Sequence, residues 1–401
     1  ELTSQLEPGE KRNRIELDLL VLLGPQQMLA TGFVTQEVAE TYQRARELSE
    51  LSNDQNLRFQ ALWGFWHIKE FRAEWAPALH LADKLSEIAF SEQDDAMHLQ
   101  AHHSQWSTRI FTGELDACID HAACGLEIYD VDRHRDQAQK FGGHDPGVCA
   151  YQMWTTCLAI KGQFGESART TREGMNLSRN LEQPASLSSM SFFAGISEGI
   201  AENFENAAQY GETAVRAAES QGLVPFQQMG LILLNWAQVR LDSNMNALES
   251  LAQLIEPAMK KPRKRAILPA YLCLLADAYR TIGQFEKGIK AAEEGLKRKD
   301  FQGEYLWESE LYRMLGILKL AQSSGNTVEA RVLFEKSLAS AAQRGGAAFQ
   351  LHAALPLVDM MQKTGEQERA KTLLAKILEN TDGTVKVPLV TRAVQRLDCL
   401  K

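Results

Sequence analysis

LLADAYRTIGQFEKGIKAAEEGL, residues 274–296, sets Leu275, Ala276 and Tyr279 at helical spacing, breaks at Gly283, and resumes with Phe285, Gly288, Ala292 and Gly295. The stretch predicts two helices folded back on each other at a glycine turn. Its junction, small-x-aromatic-x-x-small, recurs along the chain. The first and last junction residues are Ala73/Ala78, Gly113/Cys118, Gly162/Ser167, Glu202/Ala207, Asp242/Ala247, Gly283/Gly288, Gly325/Ala330 and Gly365/Ala370. Successive starts differ by 40, 49, 40, 40, 41, 42 and 40 residues, the regularity of an internal repeat. A ninth, degenerate junction falls at Gly32-Phe33.

The third junction position is Trp75, Leu115, Phe164, Phe204 and Phe285 in five copies, whereas Asn244, Thr327 and Gln367 depart from it. Two antiparallel helices need small side chains where their axes approach, and one aromatic wedged at the turn fixes their angle. Gly125, Gly174, Ala214 and Gly295 come seven residues after the junction and are expected to let the next repeat's first helix close in. This is the tetratricopeptide pattern, stretched from the usual period of about 34 residues. The expected fold is all-α: a right-handed superhelical solenoid of about nine antiparallel helix hairpins. It reads as one unit over residues 1–401, with turns near 32, 73, 113, 162, 202, 242, 283, 325 and 365. An amphipathic hairpin cannot bury its face alone, so stability must come from stacking. Leu62, Phe65, Trp66, Tyr151, Trp154 and Leu158 read as core between repeats.

Composition agrees with a globular chain: 44% of residues are hydrophobic, 24% are charged, and only 11 prolines and 27 glycines interrupt 401 residues. The longest apolar run, LDLLVLLGP at 17–25, is too short to span a membrane. With 43 basic and 52 acidic residues the net charge is −9, the wrong sign for a domain that neutralises phosphates, so nucleic acid is not the expected partner. Cys118, Cys124, Cys149, Cys157, Cys273 and Cys399 form no CxxC pair and read as thiols of a reducing cytoplasm. The chain opens at Glu1, without an initiator Met, and reads as a piece of something longer.

The repeat is broken in two places. The step of 49 holds an insertion, 130–147, within YDVDRHRDQAQKFGGHDPGVC (129–149). Solenoids tend to place insertions where they work. Gly142-Gly143 turns the chain, Asp145 suits a helix N-cap and Pro146 a first helical position, which leaves His134 and His144 unexplained. A helix start with a nearby histidine fits an anion. Before the insertion, Asp94, His98 and His102 share a helical face, but no HExxH pattern accompanies them, and no metal is assigned. Tetratricopeptide register makes His102 core-facing and His103 groove-facing. The second break, KKPRKR at 260–265, reads as a solvated loop, with an acidic partner or DNA as the alternative.

No phosphate loop, nucleophile elbow or dinucleotide fingerprint is present, so neither catalysis nor a cofactor is expected. Counting from the turns puts Gln152, Thr156, Phe192, Ile196, Ile232, Trp236, Cys273, Asp277 and Arg280 on the concave side. Phe192, Ile196, Ile232 and Trp236 are unusually apolar for a wet groove. Either the superhelix buries its own groove, or an extended peptide or small apolar ligand lies there.

The irregular segments carry a family resemblance. LGPQQMLATGF with VAETYQRARELSEL, QAHHSQW with FTGELDACIDHAACGLEIYD, and RH followed by GGHDPGVCAYQMW are its first half. PAYLCLLADAYRTIGQFEKGIKAAEEGL, GEYLWESELYRMLGILKLA and EARVLFEKSLASAAQR complete it in order. From about residue 15 onward the chain resembles the C-terminal tetratricopeptide-like region of large bacterial predicted ATPases of the STAND-like signalling type, often fused to class III adenylate or guanylate cyclase domains. The resemblance implies a regulatory module that senses a ligand or partner and releases an inhibited effector. The partner would be a protein, a peptide, a small ligand, or the parent's own ATPase or cyclase domains. It singles out His102, Asp130, His134, His144 and Asp145. A stand-alone scaffold or transcriptional co-regulator is the alternative reading, and a metal-dependent enzyme on Asp94, His98 and His102 a third.

Overall fold

The computed structural model describes residues 6–33, 35–259, 266–302, 305–382 and 385–400. The basic run Lys260–Arg265 lies outside them. Among the described residues the chain forms twenty α-helices and no strand. The first three hairpins are α1 (Glu10–Thr31) with α2 (Gln36–Ser49), α3 (Gln55–Phe71) with α4 (Trp75–Glu92), and α5 (Asp95–Thr112) with α6 (Leu115–Ile128). The insertion carries one short helix, α7 (Gln137–Lys140). Hairpins four to six are α8 (Pro146–Ile160) with α9 (Phe164–Asn180), α10 (Pro184–Ile200) with α11 (Phe204–Glu219), and α12 (Val224–Asp242) with α13 (Met245–Met259). The last three are α14 (Leu268–Ile282) with α15 (Phe285–Gln302), α16 (Glu308–Gln322) with α17 (Thr327–Gln343), and α18 (Ala347–Lys363) with α19 (Gln367–Leu378). A single helix, α20 (Pro388–Asp398), follows. No helix among the described residues is long and apolar enough to cross a membrane.

The junction residues act through backbone conformation. At Gly113 the chain turns left-handed (φ 82°), and the Gly113 and Glu114 N–H groups close on the Ile110 and Arg109 carbonyls at 3.1 and 3.0 Å. The wedge follows at once: the aromatics Trp75 and Phe164, and Leu115 in their place, are all buried. The small residues of the second helices have two uses. A Cβ at Gly295 would lie 2.6 Å from Leu311 of the next hairpin, as expected; one at Gly125 would lie 2.4 Å from Trp106 of its own hairpin.

The superhelix makes one turn in five hairpins and then touches itself. Among the described residues, four backbone hydrogen bonds join turns of early hairpins to chain five hairpins later: Ala266 N–H to Phe71 O (3.0 Å), Tyr305 N–H to Phe111 O (3.0 Å), Asp382 N–H to Gly162 O (2.9 Å) and Leu389 N–H to Ala201 O (3.2 Å). Phe33 of the first hairpin meets Phe226 of the sixth edge-on at 6.0 Å, completing the seam. Successive superhelical turns are therefore stacked on each other, and the concave faces of the first helices look into a narrow axis.

Candidate functional site

Where the first helices of the later hairpins converge on that axis, they enclose a cavity of about 170 Å³. Each helix contributes one stripe at three- or four-residue spacing: Ile196 from α10, Trp236 and Arg240 from α12, Asp277 and Arg280 from α14, Glu310 and Arg313 from α16, His352 from α18. Phe204, Trp307 and Phe349 line the apolar walls, and Arg392 of α20 stands at the edge.

The charges are arranged in two buried clusters. The Asp277 carboxylate accepts from Trp236 Nε1 (3.0 Å) and Arg240 Nη1 (2.7 Å) on one oxygen, and from Arg280 Nε (3.0 Å) and Nη2 (2.9 Å) on the other. Burial alone would raise its pKa; Arg240, Arg280 and Arg313 outweigh that and hold it well below the carboxylate range. Glu310 accepts from Arg313 Nε at 3.1 Å on Oε1 and at 3.0 Å on Oε2. His352 Nδ1 lies 3.2 Å from the same carboxylate. Burial again opposes ionisation, but Arg313 and His352 bring Glu310 down to about 2. Above Phe204 the Arg240 guanidinium sits 4.0 Å from the ring centroid. At the edge Arg392 pairs with Glu202 at 2.6 Å.

Of the residues the groove count put on the concave side, Ile196, Trp236, Cys273, Asp277 and Arg280 line this chamber. Phe192 and Ile232 are buried one helical turn away, Phe192 edge-on to Phe193 at 5.2 Å. Gln152 and Thr156 are buried as well, Gln152 Nε2 donating to Ser189 Oγ at 2.7 Å. The groove is thus filled by packing at α8 and opens into the chamber further on. Glu310 and Arg313 were within reach of sequence reasoning, since they belong to GEYLWESELYRMLG and continue the Asp277–Arg280 stripe one repeat later. Arg392 and Glu202 carried no signal, because superhelical winding alone unites residues so far apart.

The insertion residues separate into two groups. Asp130 is exposed and accepts from the Asp132 and Arg133 N–H groups at 3.0 and 2.9 Å, a local turn. His134 is buried, its Nδ1 accepting from Asp130 N–H at 3.0 Å. Asp145 caps α8 through Val148 N–H (3.0 Å) and accepts from Tyr129 OH (2.9 Å). Burial pushes its pKa up to about 6. These are structural roles. His102 does not join Asp94 and His98. It is half-buried, with Nδ1 3.0 Å from His121 Nδ1, and burial, reinforced by His121 and His98, lowers its pKa to about 4. Asp94 instead caps α5 through Met97 N–H at 2.9 Å. His103 departs from its groove-facing register: it is 2% exposed, stacked on Trp106 with centroids 5.1 Å apart. The reason is that α3 and the insertion pack against it, Trp63 and Trp66 of α3 lying edge-on to its ring at 5.5 and 6.0 Å. His144 comes to His103, their ring centroids 5.5 Å apart. All six cysteines are free thiols, with only Cys124 and Cys399 exposed.

Stacked helical hairpins closing around an axial chamber define a tetratricopeptide-like α-solenoid. No family model matches the chain. It is 22% identical over 332 residues to an uncharacterized protein of Rhizobium meliloti (strain 1021), a match covering 80% of this chain and 31% of the relative, so the chain spans about a third of that protein's length. Among solved structures it is similar to a Rap protein complexed with competence and sporulation factor, with TM-score 0.59 and 12% identity over 96% of this chain and 99% of that one. It is also similar to the apo form of RapI, with TM-score 0.47 and 11% identity over 92% and 97% of the two chains. The likeness to the first Rap structure is one of fold.

Proposed function

We propose that the chain is a non-catalytic sensor and interaction module of a larger bacterial signalling protein of the STAND ATPase or nucleotide-cyclase type, and that its axial chamber receives an anionic, partly apolar group such as the terminal residue of a peptide. The observation that carries this reading is the chamber's composition. Arg240, Arg280, Arg313 and Arg392 face Glu202, Asp277 and Glu310, so four positive groups against three negative leave an excess of one, inside walls of Phe204, Trp236, Trp307 and Phe349. A carboxylate attached to a hydrophobic side chain complements both features. The cavity, about 170 Å³, suits the end of a ligand. The Rap protein of similar fold, solved with competence and sporulation factor bound, supports a ligand-binding role, and the chain's share of its longer relative supports a place within a multidomain parent.

Because stacked superhelical turns share the seam bonds to Phe71, Phe111, Gly162 and Ala201, a ligand that widens the axis would strain them. That is how occupancy would reach a distant effector domain. The test is a fluorescence titration, reading Trp236 and Trp307, with short peptides carrying a free C-terminal carboxylate and the same peptides amidated. Free carboxylates should bind, and Arg280→Ala should weaken them. Equal binding of both series, or turnover of ATP or GTP by the purified chain, would sink the proposal.

A further inference from the structure

Away from the chamber, the second, third and fourth hairpins and the insertion enclose a cluster of imidazoles that the proposed function leaves unused. His103 Nδ1 is 3.1 Å from Gln100 Oε1, and His144 Nδ1 is 3.2 Å from Gly142 O. Each ring thus donates from Nδ1 and keeps Nε2 as a bare lone pair, the tautomer imposed on metal-binding histidines by an acceptor behind the ring. Cys149, in the first turn of α8, is 2% exposed, its Sγ 3.5 Å from Trp106 Nε1. One ring nitrogen of each histidine and the Cys149 Sγ all lie within 4.8 Å of one another.

A fourth group points to what belongs there. His67 of α3 is 2% exposed and neither of its ring nitrogens has a hydrogen-bond partner; its Nδ1 is 3.1 Å from Glu70 Oε2, which is also unpartnered. Buried polar atoms are rarely left so, because the desolvation of each costs about 1–3 kcal/mol. A Cβ on Gly142 would lie 3.6 Å from both His67 Nε2 and His144 Cε1, so the bare glycine leaves the space between those two rings open. Trp63 and Trp66 wall the cluster: Trp63 lies parallel to His67 with centroids 4.9 Å apart and edge-on to His103 at 5.5 Å, with Trp66 edge-on to His103 at 6.0 Å.

We propose that His103, His144 and Cys149 bind one divalent transition-metal ion of the zinc class, with His67, backed by Glu70, as the fourth ligand. Imidazoles with a thiolate select zinc and its first-row neighbours over magnesium or calcium. Tetrahedral zinc, with Zn–N of about 2.0–2.1 Å and Zn–S of about 2.3 Å, holds its donors roughly 3.5 Å apart. For His103, His144 and Cys149, within 4.8 Å of one another, side-chain shifts of about 1 Å close the gap, and His67 would have to swing in to complete the tetrahedron. On binding, the Cys149 thiol gives its proton to solvent and the sulfur enters as thiolate. His144, half-buried, is the least buried of these three donors. The ion would tie the insertion and α8 to α3 and α5. His67 also meets Phe33, edge-on at 5.4 Å, so the site adjoins the seam at which the first hairpin touches the sixth.

Chelator-stripped full chain should take up one Co(II), with a thiolate-to-cobalt charge-transfer band in the near ultraviolet that Zn(II) abolishes on displacement. Cys149→Ser should remove the band. His144→Ala should weaken affinity by about 100-fold or more, and Cys118→Ser, another buried thiol, should change neither. X-ray absorption at the zinc edge of the unmutated protein, which requires no variant to fold, should show one sulfur and two or three nitrogen neighbours. Sub-stoichiometric uptake, a band that survives Cys149→Ser, or a zinc shell without sulfur would overturn the proposal.

Discussion

The axial chamber and the histidine pocket are both buried and polar, yet they hold their carboxylates in different ways. In the chamber Asp277 receives four hydrogen bonds from three side chains, and Glu310 is gripped by Arg313. In the pocket His67 and one oxygen of Glu70 are equally secluded and have no hydrogen-bond partner. Each region keeps one buried imidazole without a hydrogen-bond partner, His352 in the chamber and His67 in the pocket, but the chamber's carboxylates are held by arginines whereas the pocket gathers imidazoles and a thiol, the donor set a transition metal takes. The contrast separates a surface for reversible recognition from a candidate structural centre.

The largest effect that would sharpen this contrast is expected at Trp236, which is 6% exposed and joins the apolar wall to Asp277. Trp236→Ala should cost about 3–5 kcal/mol in urea unfolding. A nearly unchanged midpoint with lost ligand binding would show instead that the indole lines an open groove.

Acid should come next. The pKa of Glu310 is 4.5 ordinarily and about 2 in the folded chain, so its stabilising contribution is fully present above about pH 4.5 and is lost as pH falls toward 2. At 1.36 kcal/mol per unit the loss reaches about 3 kcal/mol, and Asp277, also lowered, acts in the same direction. Urea midpoints at pH 6 and pH 3 check this; equal stability would mean that the clusters are solvated.

The pocket should respond in the opposite sense. With metal removed, His67→Leu exchanges an unsatisfied imidazole for a group of similar size and should leave stability within about 1 kcal/mol, or raise it. With Zn(II) present the same variant should forfeit part of the metal-dependent rise in Tm. A loss of several kcal/mol in the stripped protein would place His67 among satisfied core residues and erase the distinction. The smallest effect belongs to the chamber's edge: Arg392, half-exposed beside Glu202, should cost no more than about 1 kcal/mol on Arg392→Ala. Any larger change should appear in peptide affinity alone.

The two regions also differ in how far they could be read in advance. Half of the chamber was legible: Trp236, Asp277 and Arg280 follow from counting along each first helix, because the inward stripe of a repeat is a local property of spacing. The pocket was legible only in pieces. GGHDPGVC and AHHSQW hold His144 and His103, but a shared helical face groups His102 with His98 and Asp94, and Cys149 has no CxxC partner to set it apart from the other thiols. His67, inside WGFWHIKE, looked like any other position of a core helix. Spacing along one helix finds ligands that share that helix. These come from α3, α5, the insertion and α8.

By itself, the sequence determined the helices, their pairing and the period. A small residue in the left-handed region, an aromatic wedge and an amphipathic stripe of 3.6-residue periodicity act over a few turns of chain, and each repeats its instruction about every forty residues. Only the tertiary structure decided how far the solenoid winds. The twist between neighbouring hairpins is a small angle that leaves no mark in any one repeat, but summed over five it brings Ala266 to Phe71 and Leu389 to Ala201. That closure narrows the groove to a chamber, carries Arg392 to its edge and sets Phe33 against His67, through contacts between residues with no local relation to each other.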